Sequence, residues 1–330
     1  MHRRSRLLSK PRITVVGSYA TGLTMKVQRL PSKGETLLGS GYRVDYGGKG
    51  SNQAVGCARL GAGVTFIAKI GTDSFGDMAF GLYRDEGVDT ACVHRTADAP
   101  TGVGFITVEA ATGHNCIVLD PGANEHLSAN DVQNFPDAFA SVAVVLTQLE
   151  IPVPAAEAGL ALGRSRDAIT ILNPAPVRPL PPSVLQLVDV LTPNETEAKV
   201  LAGMSPEQAI GPEEVARKLI REGVKQVVMT LGEKGALIVS ASSATHVPAI
   251  TVSAVDTTGA GDAFNAGLAV ALASGADLEA AVRFAAITGG LAVTKEGVIP
   301  SLPKITEVVE FIRYQGNMPP AWLQPSPANV

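Results

Sequence analysis

Short apolar segments typical of buried strands alternate with amphipathic segments along most of the chain, and this alternation constrains the fold more than any other feature. The predicted strands are Ile13–Gly17, Val64–Ile70, Val142–Leu149, Ile169–Leu172, Val188–Leu191, Val227–Leu231 and Ala236–Val239. The predicted helices are Ser51–Leu60, Phe75–Glu86, Pro154–Leu162, Glu195–Ala202, Pro212–Glu222, Asp277–Thr294 and Lys304–Arg313. Strands that alternate with helices favour an α/β fold in which helices cover a mostly parallel sheet.

Two segments interrupt this alternation, at about residues 19–46 and 101–119. Both read as strands and turns with no helical segment between them, and Thr101–Val108 alternates in the manner of a strand. They predict a small accessory β-sheet inserted into the α/β core. Such a sheet could cover a cleft as a lid, form a dimer contact, or do both.

Composition excludes several classes of function. The chain has 330 residues, of which 45% are hydrophobic and 18% are charged, as is typical of a globular protein with a large core. A net charge of −4 provides no basic field for nucleic acid. No apolar run approaches the roughly 20 residues that a membrane helix requires. We therefore predict neither a nucleic-acid partner nor a membrane partner.

The cysteines and the two termini bear on the cellular setting and the domain boundaries. The cysteines are Cys57, Cys92 and Cys116. They form no CxxC pair and no zinc-like spacing, which predicts reduced thiols in a cytoplasmic protein. Residues 1–11 are basic but lack the apolar region of a secretory signal, so they predict a disordered extension. Residues 12–315 would form the folded domain, and the proline-rich residues 316–330 would form a loose tail.

The turn Thr258–Asp262 is the stretch that points most directly to chemistry. Gly259, Ala260 and Gly261 precede Asp262, and an apolar helical segment follows. Glycines let backbone amides approach a ligand, and the first amides of a helix have no partner within it, so the turn predicts an anion site. An acid at this position can simply stabilise the helix N-terminus. It can also be a general base beside a site that stabilises a transferring phosphoryl group.

The glycine-rich segment Gly47–Asn52 also precedes a predicted helix. It is not a Walker A loop, because the GxxxxGK[ST] pattern does not occur in the chain. A tight turn with an exposed lysine explains it structurally. The functional interpretation is a loop whose backbone amides and Asn52 bind the hydroxyl groups of a polyol.

Three strand ends carry polar residues with more than one interpretation. The Asn194–Glu197 segment is explained better as a capping box, although these two side chains could also hold a hydrated Mg²⁺. Turn chemistry explains Thr230–Gly235, but a glycine turn at a strand end also lets a nucleotide lie close to the backbone. Glu150 is either a surface acid that precedes a helix or a residue of the cleft.

Taken together, these motifs resemble the ribokinase-like (PfkB) family of carbohydrate and nucleoside kinases, from about Ile13 to Phe311. The two family signatures correspond to Gly47–Gly71 and Asp256–Ala269, in the order and spacing of the family. Further similar segments are Asn173–Pro176, Thr192–Ala198, Thr230–Gly235 and Val293–Gly297. The resemblance implies a three-layer, Rossmann-like α/β core with a mostly parallel sheet and a small β-sheet lid. In this family the lid often forms a dimer interface, which implies a homodimer.

The resemblance also implies an activity and a set of site residues. The activity is ATP-dependent phosphorylation of a primary hydroxyl on a sugar or related acceptor, with Mg²⁺ and a monovalent cation such as K⁺ as cofactors. Asp262 would accept the proton of the attacking hydroxyl, while the amides of Gly259, Ala260 and Gly261 would stabilise the charge on the γ-phosphate. The implied sugar-binding positions are Gly48, Lys49, Asn52, Glu150 and Asp262. The implied nucleotide positions are Asn194, Thr230, Gly232 and Gly261. Asn194 and Glu197 would organise Mg²⁺ and its waters, and the implied monovalent-cation positions are Asp256, Thr258, Val293, Gly297 and Ser301.

One departure from the family bears on the acceptor. Where ribokinase has a GSxNxD pattern after the first strand, this chain reads GSYATG and places Ala20 and Gly22 at the two hydroxyl-binding positions. A site without these partners should lose affinity for a substrate that presents the corresponding hydroxyls. Tyr19 could fill part of the space. The resemblance therefore implies an altered acceptor rather than lost activity, with D-ribose a poor substrate.

Two alternatives remain at this point. A nucleoside kinase would need aromatic residues for base stacking in the lid, and Tyr19, Tyr42 and Phe105 leave that open. A sugar- or nucleotide-binding protein without catalysis is the other alternative, against which Asp262 and the intact anion site argue.

Overall fold

The computed structural model describes residues 10–323, so the predicted N-terminal extension falls almost wholly outside the described residues, as do residues 324–330. The strands are β1 Arg12–Val16, β2 Ala20–Val27, β3 Ser40–Gly47, β4 Gly63–Gly71, β5 Val93–Thr96, β6 Gly102–Glu109, β7 Asn115–Asp120, β8 Val144–Thr147, β9 Ile169–Leu172, β10 Val190–Leu191, β11 Gln226–Thr230, β12 Ala236–Val239 and β13 Ala244–Val247. The helices are α1 Lys49–Arg59, α2 Ser74–Glu86, α3 Ala129–Gln133, α4 Val153–Arg164, α5 Pro182–Leu185, α6 Glu195–Leu201, α7 Pro212–Arg221, α8 Ala260–Ala273, α9 Leu278–Ala292, α10 Val298–Ser301 and α11 Ile305–Tyr314.

A large central sheet runs through the described residues in the order β13-β12-β11-β10-β9-β8-β1-β4-β5. The strands from β11 to β5 are parallel, and β12 and β13 add an antiparallel edge. The predicted α/β fold with a mostly parallel sheet is confirmed. Strands β5 and β13 and the short helices α3, α5 and α10 were not predicted, because none is longer than five residues and each is too short for a periodic pattern.

Two hydrophobic clusters pack on opposite faces of this sheet. In β8, Val144 and Leu146 belong to the cluster beneath α1, α8 and α9, whereas Val145 belongs to the cluster beneath α4 and α7. All three side chains are fully buried. A strand that is covered on both faces reads as a continuous apolar run rather than as an alternation. This explains why the strand predictions rested on short apolar runs.

The strand order reverses between β1 and β8. From β1 the chain moves outward to β4 and β5, and it then returns to β8 on the other side of β1 and moves outward to β11. Loops that leave the carboxyl ends of neighbouring parallel strands diverge at such a point and open a crevice, where ligands of α/β proteins bind. The residues that follow β1 and β8 therefore face a candidate binding cleft.

Helix α8 lies at the centre of its layer, between α1 and α9. Every residue from Asp262 to Leu272 is buried, which agrees with a helix that is apolar all round. Burial on all sides holds the helix rigidly, so its first turn presents a fixed end at the carboxyl edge of the sheet.

Strands β3, β2, β6 and β7 form a separate four-stranded sheet, which we call the lid sheet. Strand β2 pairs antiparallel with β3 and parallel with β6, and β7 pairs antiparallel with β6. Its two halves come from the two segments that interrupt the βα alternation, so the predicted accessory sheet is confirmed.

The described part of the C-terminal tail contacts the domain rather than hanging loose. The ring of Trp322 meets that of Phe284 on α9 edge-on, with 5.1 Å between the ring centroids. The expectation of a loose tail is therefore wrong at this residue, because an indole ring can bury against an apolar helix face. Within residues 10–323 no helix has both the length and the apolar character that a membrane span needs.

Candidate active site

Side chains from five strand ends and one helix end meet at the carboxyl edge of the central sheet. They are Ser18 after β1, Gln148 and Glu150 after β8, Asn173 after β9, Thr192 and Asn194 after β10, Thr230 at the end of β11, and Asp262 in the first turn of α8. Their place follows from topology, since the carboxyl ends of parallel strands share one edge. The reversal of strand order between β1 and β8 leaves the cleft beside them.

Asp262 is buried, with 5% of its surface exposed, and each oxygen of its carboxylate accepts a hydrogen bond from a side-chain amide. Asn52 Nδ2 donates to Oδ2 at 2.8 Å, and Gln53 Nε2 donates to Oδ1 at 2.9 Å. Both donors lie on α1, where consecutive side chains point about 100° apart and so reach opposite sides of the carboxylate. The other polar atom of the Asn52 amide, Oδ1, is buried and has no partner among the described residues. It is an acceptor that a ligand hydroxyl could satisfy.

The amides before Asp262 form an anion-binding turn. Gly259 has φ 82° and so adopts the left-handed conformation that glycine tolerates, and a Cβ atom there would lie 2.8 Å from Val298 Cγ1. The amide of Ala260 donates to the Thr257 carbonyl at 3.3 Å. Within residues 10–323, no hydrogen bond satisfies the amides of Gly261 and Asp262. Unpaired amides at the start of a long helix bind anions.

The Gly48–Lys49 segment brings α1 against the end of β1. Gly48 has φ 85°, and a Cβ atom there would lie 2.7 Å from the Tyr19 Cα, so only glycine fits. Glu150 Oε2 accepts hydrogen bonds from Ser18 Oγ at 2.6 Å and from the Lys49 amide at 2.8 Å. Glu150 is thus a residue of the cleft rather than a surface acid, and it joins the ends of β1 and β8 to the start of α1.

Lys49 lies in the field of three carboxylates. Asp262 raises the pKa of the Lys49 ammonium most, burial opposes that effect, and Glu150 and Glu197 raise the pKa further. Burial in turn raises the pKa of Glu197, although the amide of Asn194 and the charge of Lys49 lower it in part. A half-buried carboxylate whose ionised form is disfavoured by burial would be stabilised by a bound cation.

Asn194 and Glu197 form the predicted capping box at the start of α6. Asn194 Oδ1 accepts from the Glu197 amide, and Glu197 Oε2 accepts from the Asn194 amide, both at 2.8 Å. Thr230 donates its amide to the Pro193 carbonyl at 2.9 Å, so the predicted nucleotide residues at the ends of β10 and β11 are neighbours. Gly232 follows in the next turn, with φ 60°.

The residues predicted for a monovalent cation lie in two loops joined by hydrogen bonds. Asp256 Oδ1 accepts from the Thr258 amide at 2.9 Å, and Oδ2 accepts from the Gly297 amide at 3.0 Å. The Val293 carbonyl accepts from the amides of Val255 and Asp256. Burial raises the pKa of the Asp256 carboxyl, but the hydrogen bonds from Thr258 and Gly297, with a smaller effect of Arg43, outweigh burial and lower it. Ser301 is buried in α10, which follows Gly297.

Sequence reasoning missed the buried side-chain amides that lie behind the turn at Asp262. Gln148 Nε2 donates to Gln53 Oε1 at 2.6 Å, and Gln53 Nε2 donates to Asn173 Oδ1 at 3.1 Å as well as to Asp262. On the other side, Thr192 Oγ1 donates to Asn265 Oδ1 at 2.6 Å, and Asn265 Nδ2 donates to the Gly261 carbonyl at 2.8 Å. Gln53 directly follows Ser51 and Asn52 in the sequence, so no local pattern distinguished it from its polar neighbours.

The predicted role of Tyr19 is wrong. Its side chain is 1% exposed, its ring meets the ring of Tyr83 edge-on at 6.2 Å between centroids, and its hydroxyl lies 3.2 Å from Thr21 Oγ1. Burial raises its pKa to about 12. The side chain therefore packs in the core and neither fills the space beside Ala20 nor offers a stacking surface.

The face of the lid sheet that carries Ala20 and Gly22 has a carboxylate that sequence reasoning also missed. Asp45 on β3 pairs directly with Gly22 on β2, and a Cβ atom at position 22 would lie 3.7 Å from the Asp45 Cβ. Arg43, two residues earlier on the same face, lies 3.8 Å from Glu296 in the loop before α10, measured between Nη1 and Oε2. This face of β3 therefore turns towards the loop before α10, with Asp45 on it.

Tyr42 and Phe105 lie on the opposite face of the lid sheet. Phe105 pairs with Leu23, which pairs with Val44, and strand alternation places Tyr42 on the face of Val44. Both aromatic side chains are exposed. In this chain they point away from the face that carries Asp45, so they do not offer a nucleoside base a stacking surface there.

The site as a whole combines a buried carboxylate, unpaired helix amides and a lysine. This set can take a proton from a hydroxyl group while it stabilises negative charge on a neighbouring group. Within residues 10–323 no group of three or more His, Cys, Asp or Glu is arranged to hold a metal ion. A hydrated Mg²⁺ fits such a site, because it binds through one or two protein oxygens and substrate phosphates.

Comparison with known proteins agrees with this chemistry. Residues 10–305 match the family model described as pfkB family carbohydrate kinase. A ribokinase of Haemophilus influenzae is 37% identical over 92% of this chain and 98% of its own length. A deoxyribokinase of Salmonella typhi is 34% identical over 91% of this chain and 98% of its own. The structure of Arabidopsis thaliana ribokinase complexed with ribose and ATP is similar to this one, with a TM-score of 0.86 and 30% identity. The match covers 96% of this chain and 100% of the Arabidopsis chain.

Proposed function

The chain belongs to the pfkB family of carbohydrate kinases, which are ATP-dependent phosphotransferases, and from that premise we propose a specific reaction with named catalytic residues. A primary hydroxyl of a sugar or sugar-like acceptor attacks the γ-phosphorus of ATP. The proton of that hydroxyl passes to Asp262, the bond from the γ-phosphorus to the bridging oxygen breaks, and ADP leaves.

The observation that carries this proposal is the place of Asp262 at the mouth of the anion-binding turn. Two side-chain amides hold its carboxylate. The unpaired backbone amides are those of Asp262 itself and of Gly261, the residue before it. Those amides suit the charge that develops on the transferring phosphoryl group, and the Lys49 ammonium interacts favourably with the charge of the Asp262 carboxylate. Positioning and electrostatics account for most of the catalysis in such transfers.

The acceptor would bind between the glycine-rich loop and the lid sheet. Asn52 Oδ1, which has no partner among residues 10–323, supports a hydrogen bond from an acceptor hydroxyl. Gly48, Lys49 and Glu150 surround the same space. The nucleotide would lie along the ends of β10 and β11, beside Asn194, Thr230 and Gly232.

Replacement of Asp262 by asparagine tests the proposed base. Asp262→Asn keeps the size of the side chain but cannot take the proton, so kcat should fall by about 10²- to 10⁴-fold while ATP binding survives. The measurement is coupled ADP release with an acceptor panel, together with ATP binding by calorimetry. Activity near that of the wild type would remove Asp262 from this role. ATP binding without acceptor-dependent ADP release by the wild type would favour a binding protein.

Two cations complete the proposed site. The free oxygen of Glu197 and the Asn194 side chain would hold Mg²⁺ through its waters, and the bound ion would neutralise phosphate charge. Asp256, Thr258, Val293, Gly297 and Ser301 would hold a monovalent cation next to the anion-binding turn. The support for this second site is that hydrogen bonds join Asp256, Thr258, Val293 and Gly297 in two neighbouring loops that contain carboxylate and carbonyl oxygens.

The cation requirement of ADP release tests both sites. Removal of Mg²⁺ with a chelator should abolish activity, and K⁺ should raise the rate above that in Na⁺ or choline at equal ionic strength. Glu197→Gln should raise the Mg²⁺ concentration that gives half-maximal rate, because a carboxylate holds the hydrated ion better than an amide does. A flat response to the monovalent ion would contradict the K⁺ site without affecting the Mg²⁺ site.

The lid sheet supports an acceptor other than D-ribose. Ala20 and Gly22 have no polar side chain, whereas Asp45 offers a carboxylate from the neighbouring strand at the position of Gly22. A hydroxyl group would thus find its charged partner on β3 instead of β2. Relatives with similar identity are named ribokinase and deoxyribokinase, so the acceptor differs among them.

A screen of pentoses, deoxypentoses, hexoses, polyols and nucleosides tests this assignment. D-ribose should give a kcat/KM about 10- to 100-fold below that of the best acceptor, because a lost hydrogen bond to a charged group is worth about 1.5–3 kcal/mol. Asp45→Ala should lower kcat/KM for the best acceptor by a similar factor, and the exposed Asp85→Ala on α2 serves as the matched control. A ribose kcat/KM comparable to that of the best other acceptor, or above it, would refute the altered preference. An unchanged acceptor profile in Asp45→Ala would remove Asp45 from it.

The lid sheet also supports a homodimer. On the face opposite Asp45 its exposed apolar side chains are Met25, Tyr42, Val44, Phe105 and Val118. A cluster of this kind marks an interaction surface, and the unpaired edges of β3 and β7 could pair with another strand. A second copy of the chain is the occupant that we propose, because the patch is continuous across the sheet.

Light scattering after gel filtration tests the dimer. The wild type should have about twice the chain mass of 34.1 kDa. Val118→Glu places a charge in the patch and should give a monomer, whereas Tyr314→Glu, at an exposed aromatic residue on α11, should remain dimeric. A wild-type monomer at micromolar concentration would overturn the proposal.

A further inference from the structure

Gln53 has a contact pattern that neither the sequence motifs nor the proposed reaction explains. It lies on α1, is fully buried, and uses every polar group of its side chain. Its Nε2 donates to Asp262 Oδ1 at 2.9 Å and to Asn173 Oδ1 at 3.1 Å, and its Oε1 accepts from Gln148 at 2.6 Å. We propose that Gln53 is a positioning residue that orients the Asp262 carboxylate for proton transfer, an inference that rests on the proposed function.

The orientation of the Gln53 amide is determined by its three neighbours. A carboxylate accepts hydrogen bonds only, so the nitrogen of Gln53 must face Asp262. The oxygen of Gln53 then faces the nitrogen of Gln148. Asn173 completes the arrangement, because its own nitrogen donates to the Thr192 carbonyl at 3.1 Å and leaves its oxygen for Gln53.

This arrangement distinguishes the two oxygens of Asp262. Oδ1 is turned towards the buried amides, so Oδ2, beside Asn52, is the oxygen that meets the acceptor hydroxyl. Without Gln53 the carboxylate could rotate about its Cβ–Cγ bond, and the hydroxyl would less often find Oδ2 at the right distance and angle. Displacement of a reacting group by about 1 Å can lower a rate by about 10²-fold.

Gln53 acts through Asp262 and not on the substrate. It lies behind the carboxylate, away from the side chains that surround the acceptor. A positioning role therefore predicts a loss in kcat with little change in KM for the acceptor or for ATP. A merely structural role predicts lower stability and no change in pH dependence.

The test compares Gln53→Met, Gln53→Glu and Cys57→Ala with the wild type. Cys57 lies one turn further along α1, is fully buried and contacts the Ala266 carbonyl of α8 at 3.8 Å, so Cys57→Ala perturbs the same helix pair without touching the amides. The readouts are pH profiles of kcat and kcat/KM for the best acceptor of the ADP-release panel, and urea unfolding. Gln53→Met should lower kcat by about 10- to 100-fold with both KM values within about threefold.

The variant Gln53→Glu tests directly whether residue 53 acts on the Asp262 carboxylate. It places a second carboxyl group against Oδ1, where two carboxyls share a proton, so the acid limb of the kcat profile should move up by about one pH unit or more. Cys57→Ala should keep the wild-type pH profile even if its free energy of unfolding is lower than that of the wild type.

The outcomes separate this inference from the proposed function. A wild-type kcat and pH profile in both Gln53 variants would overturn the role of Gln53 while leaving Asp262 as the base. The role of Gln53 would also be overturned if kcat fell only in proportion to the free energy of unfolding and the pH profile of Gln53→Glu did not change. Full activity of Asp262→Asn in the same series would overturn the proposed base, and any effect at Gln53 would then be structural.

Discussion

The buried carboxylate of Asp262 is the constraint on which the rest of the site depends. A carboxylate that is removed from water without partners is strongly destabilising, so the fold must bring donors to it. Asn52 and Gln53 supply them from α1, although they lie 210 and 209 residues away in the chain. The Gln53 amide needs partners of its own, because its oxygen accepts from Gln148 and its nitrogen donates to Asn173 as well as to Asp262. The ends of β8 and β9 are thus tied to both helices by hydrogen bonds.

The same turn of α8 is held from a second side. Asn265 donates to the carbonyl of Gly261 and accepts from Thr192 at the end of β10. Because the helix is buried from Asp262 to Leu272, its first turn cannot move without loss of packing. A rigid turn keeps its unpaired amides and the carboxylate in a constant relation. Preorganisation of this kind makes electrostatic stabilisation effective, since no dipoles need to reorient during the reaction.

The groups proposed for catalysis and those proposed for acceptor recognition lie on different parts of the molecule. The carboxyl edge of the central sheet carries the groups that we propose for phosphoryl transfer, in a chain that belongs to the pfkB family. The lid sheet carries the side chains that would face the acceptor, and there Ala20 and Gly22 leave Asp45 as the carboxylate. The lid sheet pairs its own strands and contributes little to the two hydrophobic clusters of the core. Its side chains can therefore change with little effect on the turn at Asp262.

Local patterns in the sequence determined the βα alternation, the two inserted β segments, the capping box at Asn194 and the turn at Asp262. Helix and strand periodicity, caps and glycine turns all depend on residues within a few positions of one another, so a single sequence displays them. Only the tertiary structure decided that Tyr19 packs in the core, that Asp45 stands beside Gly22, and that Gln53 holds Asp262. Each of these depends on strand register or on contacts between residues that are distant in sequence, and no local pattern marks them. The turn at Asp262 could thus be identified from the chain alone, whereas its supporting hydrogen bonds exist only because the strand order brings α1, β8 and β9 to the same edge.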